Sequence, residues 1–325
     1  MKRMQAGLLV RMGAGMLQCA GAAPQVAHRV TRLLVDAELA GHPRHGIERL
    51  SYYLEQIVQG RLVPDATAVV VSQTPASVVL DGCQGFGELA LDQAVALAAG
   101  KAVDQGVAAV VIRRAHGVGR LSPFVEQLAE QGQVALLMAN GMSRQPVVVP
   151  YGGAAPCLGA NPVAMAVPRR TGCLALDMAT CTTRSGQDPT AIQHPFGGVS
   201  AHKGYGLNLV VELLAGALTG AGCAGQSERP GHGALLLSVQ VADFVAYDAF
   251  VAEVEDLLAF VRSTRMVDAA GDGALLLPGE PERMRRAESL ARGLPVDPTT
   301  WERLMAAGRR VGWEPESESR GPASD

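Results

Sequence analysis

Three short apolar runs, residues 147–149, 163–167 and 174–178, follow one another with too little chain between them for crossover helices. Parallel neighbours need a connection of a dozen residues or more, usually a helix, so these runs predict directly connected strands in antiparallel or mixed pairing. The preceding stretch has a different texture. From Ser77, β-rich and helical runs alternate: strand 78–80, helix 88–105, strand 107–112, helix 121–130 and strand 134–138. Such alternation is the pattern of an α/β domain.

The first 65 residues read as mainly helical. Val26, Val30, Leu33, Leu34 and Ala37 recur at helical spacing ahead of Gly41, and Ile47, Leu50, Leu54 and Ile57 do so ahead of Gly60. Further on, helix 205–218, strand 235–241 and helix 248–262 complete a central body. Pro278-Gly279-Glu280 makes a turn into two more helices, and residues 314–325 read as a polar, disordered tail.

At 325 residues the chain can build one large domain or two ordinary ones. With 48% hydrophobic and 18% charged residues it reads as soluble and globular. A formal charge of -3 without a basic stripe excludes nucleic acid as an expected partner. Lys2-Arg3 and the mildly apolar stretch to Cys19 resemble a signal peptide only faintly, because Arg11 and Gln18 interrupt it. The most apolar stretch, 207–221, carries Asn208 and Glu212 and is short for a bilayer, so it reads as a buried helix and no membrane association is expected. Cys19, Cys83, Cys157, Cys173, Cys181 and Cys223 show neither a C-x-x-C nor a matching histidine spacing. Free, buried thiols in a reducing cytoplasm, with no metal site, are the expectation.

Five features carry candidate chemistry. In His45-Gly46-Ile47-Glu48-Arg49 an imidazole and a fixed cation are four residues apart where a helix begins, a spacing that puts side chains on one helix side. Arginine clamps carboxylates through its planar fork, so the pair reads as an acid/base beside an anion anchor; a turn-capping histidine and a solvated arginine are the structural alternative. Gly85-Phe86-Gly87-Glu88-Leu89-Ala90 fits G-x-G-x-x-A between strand and helix. Four residues separate Leu80 from Gly85, however, and no acidic residue ends a second strand about twenty residues on, as a dinucleotide fingerprint requires. Lys203, one of only three lysines, opens the most apolar helix in Lys203-Gly204-Tyr205-Gly206-Leu207, a plausible phosphate cradle. His116-Gly117 follows a strand, and Asp177 ends another; each has an ordinary structural explanation.

In order, His45-Gly46-Ile47-Glu48-Arg49, His116-Gly117, Leu158-Gly159-Ala160-Asn161-Pro162, Leu176-Asp177-Met178-Ala179-Thr180, Lys203-Gly204-Tyr205-Gly206-Leu207 and Pro278-Gly279-Glu280 resemble the type-2 malate/L-lactate dehydrogenase family. The resemblance runs from about residue 24 to about residue 312. It implies an α+β protein with a non-Rossmann NAD(P)-binding domain built on a largely antiparallel sheet, here residues 71–279, and a helical domain from 1–70 with 280–325. It further implies an NAD- or NADP-dependent oxidoreductase acting on a small carboxylate, either a 2-oxo/2-hydroxy acid or a cyclic imino acid, in a homodimer. On this resemblance His45 corresponds to the acid/base, with Arg49 beside it for the substrate carboxylate, and His116 to a second catalytic histidine. Asp177, Met178, Ala179, Thr180, Lys203, Gly204, Gly279 and Glu280 correspond to cofactor-contacting positions.

The chain departs from the family pattern twice. Arg44 stands where relatives usually have serine, and residues 181–202 stand where relatives carry a connection of several tens of residues that includes a tryptophan. A non-catalytic paralogue and a nucleotide-binding regulator are the two other readings.

Overall fold

The computed structural model describes residues 2–141, 146–182, 193–225, 231–264 and 275–315. In chain order the elements are β1 (Lys2–Met4), α1 (Ala6–Cys19), α2 (Pro24–Leu39), α3 (Ile47–Val58), β2 (Val69–Gln73), β3 (Ser77–Asp81), α4 (Gly87–Gln105), β4 (Val107–Ala115), α5 (Ser122–Ala129), β5 (Gln133–Ala139), β6 (Val163–Pro168), β7 (Cys173–Met178), β8 (Cys181–Thr182), β9 (His194–Pro195), α6 (Ala201–Glu212), β10 (His232–Gln240), α7 (Tyr247–Arg262), α8 (Glu280–Arg292), β11 (Leu294–Val296) and α9 (Pro298–Arg310). They gather into two compact units, residues 1–65 with 284–325 and residues 66–283. Among the described residues no helix is long and apolar enough to cross a membrane.

The first unit is helical. In α1, Leu9, Met16 and Leu17 turn inward, so the segment with a faint leader-like composition is here a packed helix. A Cβ on Gly13 would press against Thr31 of α2 and Leu50 of α3, which marks where the three helices converge. Only the absent side chain permits that approach. β1 and β11 pair antiparallel, and Asp297 caps α9 by accepting the Thr300 N–H at 2.9 Å.

The second unit is built on a seven-stranded sheet in the order β2-β3-β4-β10-β5-β6-β7. Only β3 and β4 run parallel, and they are the pair joined by a long helix, α4; the other pairings are antiparallel. The α/β alternation from Ser77 thus yields a single parallel pair, because β10 inserts between β4 and β5 and runs against both. The direct connection β6 to β7 is antiparallel, as its length dictates. The run at 147–149 forms no strand; Val148 makes only isolated bridges to Leu158 and Gln193. Ala90, Leu91, Ala94, Val95, Ala98 and Ala102 bury one side of α4, and Gly106 ends that helix at φ 78°. The expected helix 205–218 begins at Ala201 and changes at Leu213 into a five-residue π-helical turn.

Of the six thiols, all free, Cys173 and Cys181 are buried but Cys19 and Cys157 are exposed, which corrects the expectation that all are buried. Cys19 lies at the end of α1 and Cys157 in a loop, positions the cores do not cover. Most of the polar tail, 316–325, lies outside the described residues.

Candidate active site

The turn that carries His45 is made by Pro43, Gly46 and Glu38. Pro43 opens one 3₁₀ turn, Pro43–His45, and Gly46 then adopts φ -98° and ψ -139° before α3 begins. Only Arg49 is therefore helical. The extended ψ of Gly46 breaks the helical phase, so the four-residue spacing does not set His45 and Arg49 on one helix side. A Cβ on Gly46 would collide with Glu38 Oε2. That carboxylate, near the end of α2, accepts the Ile47 N–H at 3.0 Å and places negative charge at the start of α3, where the helix dipole favours it. Burial pushes the Glu38 carboxyl above its ordinary range, the Ile47 N–H pulls it back, and the charge of Glu48 adds to the rise. His45 is exposed and Arg49 half-buried. The Arg49 guanidinium carbon lies 4.8 Å from the Tyr52 ring centroid and 5.7 Å from that of Tyr53, contacts that hold a cation by its attraction to the ring faces.

The other candidates belong to the second unit. His116 follows β4 and forms a bridge with Phe86. Its N–H donates to the Gly85 carbonyl at 2.8 Å, and a Cβ on Gly87 would collide with the Gly117 carbonyl oxygen. Close backbone approach thus accounts for the glycines of the G-x-G-x-x-A run. Asp177 Oδ2 accepts the N–H groups of Leu121 and Ser122 at 2.9 and 2.8 Å, which caps α5 and ties down the loop running from His116. Met178 is half-buried, Ala179 exposed and Thr180 fully buried.

Lys203 is exposed in the first turn of α6, while Gly204 faces inward, where a Cβ would collide with the Phe196 carbonyl. His202 meets the Tyr151 ring edge-on at 5.8 Å. Gly279, at φ 85°, approaches β7, its Cβ position lying 3.2 Å from the Ala175 carbonyl. Glu280 Oε2 accepts the Leu277 N–H at 2.8 Å, and Oε1 pairs with Arg262. Burial pushes the Cys173 thiol up to about 11, with the Glu126 charge adding to it, so that thiol is no nucleophile at neutral pH.

Three further residues, Asn161, Asn208 and Glu212, form a buried cluster. Asn161, at φ 45°, receives the Gly141 N–H on Oδ1 at 2.9 Å. Its Nδ2 reaches Asn208 Oδ1 at 2.9 Å and Glu212 Oε2 at 2.7 Å. Glu212 Oε1 accepts the Ala224 N–H at 2.7 Å. The sequence did carry a signal for this cluster: Asn208 and Glu212 stand four apart in the most apolar helix and so share a side.

The structure thus brings Asp177 to the His116 loop, Gly279 to β7 and the end of the 177–180 segment to α6. The exposed ammonium of Lys203, in the first turn of a twelve-residue helix, fits an anionic group such as a dinucleotide phosphate.

The sequence profile of the malate/L-lactate dehydrogenase family matches residues 5–191 and 184–305. The chain belongs to the malate/L-lactate dehydrogenase family. Within this family it is 33% identical over 324 residues to the Δ1-pyrroline-2-carboxylate/Δ1-piperideine-2-carboxylate reductase of Pseudomonas syringae pv. tomato, covering 88% of this chain and 90% of the relative. It is 30% identical over 332 residues to hydroxycarboxylate dehydrogenase B of Escherichia coli K12, covering 91% of each. The fold is similar to that of malate dehydrogenase from Pyrococcus horikoshii, with a TM-score of 0.87 at 26% identity over 96% of each chain. Membership in a family of dehydrogenases indicates an oxidoreductase and does not favour the non-catalytic or regulatory readings.

Proposed function

We propose that the protein is an NAD(P)-dependent oxidoreductase acting at C2 of a small 2-oxo/2-hydroxy acid or at the equivalent carbon of a cyclic imino acid. The observation that carries this reading is the full-length match to dehydrogenases and reductases of such compounds. It is supported by the exposed Lys203 at the start of α6 and the exposed His45 turn. Lys203, Gly204 and the 177–180 and 279–280 segments would hold the dinucleotide. When bound, the nicotinamide supplies or accepts the hydride.

His45 gives a proton to the substrate oxygen or nitrogen during reduction and takes it back during oxidation, work an imidazole does with one ring nitrogen. Arg49, stacked on Tyr52, binds the substrate carboxylate. His116, at the end of β4, is the second candidate for the proton. We read the protein as a cytoplasmic homodimer.

The shortened 181–202 connection sets the expected specificity. Its middle, 183–192, lies outside the described residues, while its ends pair as β8 and β9. Long connections of this kind often wall a pocket, and a shorter one restrains larger substrates less. The test is to follow NADH and NADPH absorbance against a panel of 2-oxo acids and cyclic imino acids. Turnover is expected with one nucleotide preferred, and to be better on a bulkier 2-oxo or cyclic imino acid than on oxaloacetate or pyruvate. No nucleotide oxidation with any member of the panel by a correctly folded protein would overturn the reading.

A further inference from the structure

Thr180 is fully buried, and its hydroxyl is already committed on both the donor and the acceptor side. The O–H lies 3.0 Å from the carbonyl oxygens of both Ala160 and Asn161, and the oxygen accepts from Asn208 Nδ2 at 2.8 Å. The second Nδ2 hydrogen of Asn208 goes to the Gly159 carbonyl at 2.9 Å. The Asn208 amide cannot turn over without loss, because its Oδ1 receives Asn161 Nδ2, itself bonded to Glu212. All four side chains are buried. A buried polar cluster with its groups satisfied is rigid, because any displacement leaves a donor or acceptor without water to replace the lost partner.

We propose that Thr180 and Asn208 form a latch that fixes the end of the 177–180 segment to α6, making Thr180 a positioning residue and not a nucleotide contact. This inference rests on the preceding reading, in which the 177–180 segment and Lys203 meet the dinucleotide, and narrows the direct contact to residues 177–179. Asn208 and Lys203 share one helix, five residues and thus about 7.5 Å of rise apart. Whatever holds Asn208 therefore also holds the backbone from which Lys203 extends at a fixed remove from the end of the 177–180 segment. The run Leu158-Gly159-Ala160-Asn161-Pro162 is the third member of the latch. It contributes three carbonyls to Thr180 and Asn208, and a Cβ on Gly159 would collide with the Gly141 carbonyl. The latch gives this motif a role without contact to any ligand.

The test compares Thr180→Val, which keeps the shape and loses the hydroxyl, with Thr180→Ser, which keeps the hydroxyl. Hydrogen exchange on the ligand-free protein is expected to speed up at 177–182 and at 201–207 together in Thr180→Val and to stay as wild type in Thr180→Ser. In fluorescence titrations the dissociation constant for the preferred nucleotide should rise roughly tenfold in Thr180→Val, the factor one ordinary hydrogen bond carries. It should return in Thr180→Ser, with kcat at saturating nucleotide changed much less than KM. Should Thr180→Val fail to fold, Thr180→Cys, with similar bulk and a weak S–H donor, should give an intermediate result. Unchanged exchange, or loosening confined to one segment, overturns the latch. A wild-type protein that binds neither NADH nor NADPH overturns the functional reading instead, and exchange still decides the latch.

Discussion

The His45 turn and the Thr180–Asn208 cluster solve opposite problems. The first leaves an imidazole exposed at a break in helical phase, supported by one glycine, one proline and one carboxylate. The second buries its polar groups and satisfies them with one another and with backbone. A proton-transferring group must meet solvent and substrate, whereas a framework holding a large ligand gains from having a single arrangement. The contrast suggests that substitutions in the turn act on the rate of the chemistry and substitutions in the cluster on binding.

The largest effect expected from breaking this contrast is at His45. His45→Gln should lower turnover by roughly 10²–10⁴-fold, the usual contribution of a positioned proton donor, while nucleotide affinity stays within about twofold. Steady-state kinetics with a binding titration checks this. Wild-type turnover would transfer the role to His116. At the binding end, Lys203→Ala should weaken NAD(P)H by about 1.5–3 kcal/mol, the range for a hydrogen bond to a charged group, with kcat little changed. An unaltered titration curve would remove Lys203 from the site.

Glu38 sharpens the comparison with the smallest effect. Its raised pKa means that the folded chain holds the proton more tightly than the unfolded chain, so this group's contribution falls as pH rises from about its ordinary value of 4.5 through the raised one. Glu38→Gln keeps an acceptor for the Ile47 N–H and removes the titration. Thermal melts across that pH interval should flatten relative to wild type, with the neutral-pH Tm equal or higher. A neutral-pH loss as large as that of Glu38→Ala would show that the charge itself, at the start of α3, matters more than its burial.

How much of this was legible in sequence depended on whether the deciding contacts are local. Helices α2, α3 and α4 and strands β4 to β7 follow their apolar periodicity closely. β2 escaped because all five of its residues are exposed at the sheet edge and its valines carry no alternation of burial. α1 escaped because glycine, alanine and methionine dilute its apolar stripe. The turn at His45 was legible, but its geometry was not, since Gly46 answers to Glu38 on the preceding helix. The glycines at 85 and 87 suggested a dinucleotide fingerprint because the groups they accommodate, Ala66 for Gly85 and the Gly117 carbonyl for Gly87, lie about twenty and thirty residues away. Asn208 and Glu212 were visible as two polar residues in an apolar helix, yet their partner Asn161 is 47 residues distant from Asn208.

The β8–β9 pair has a further consequence, for how readily this chain can be lengthened. Cys181 faces Pro195 and Thr182 faces His194, so the two ends of the intervening segment are stapled side by side. Lengthening a loop whose ends are already joined costs only about 0.6 kcal/mol for each doubling. Evolution can therefore exchange what lies between the staples almost without penalty to the sheet or to α6. The same property makes this point a natural site for grafting a longer segment into this scaffold.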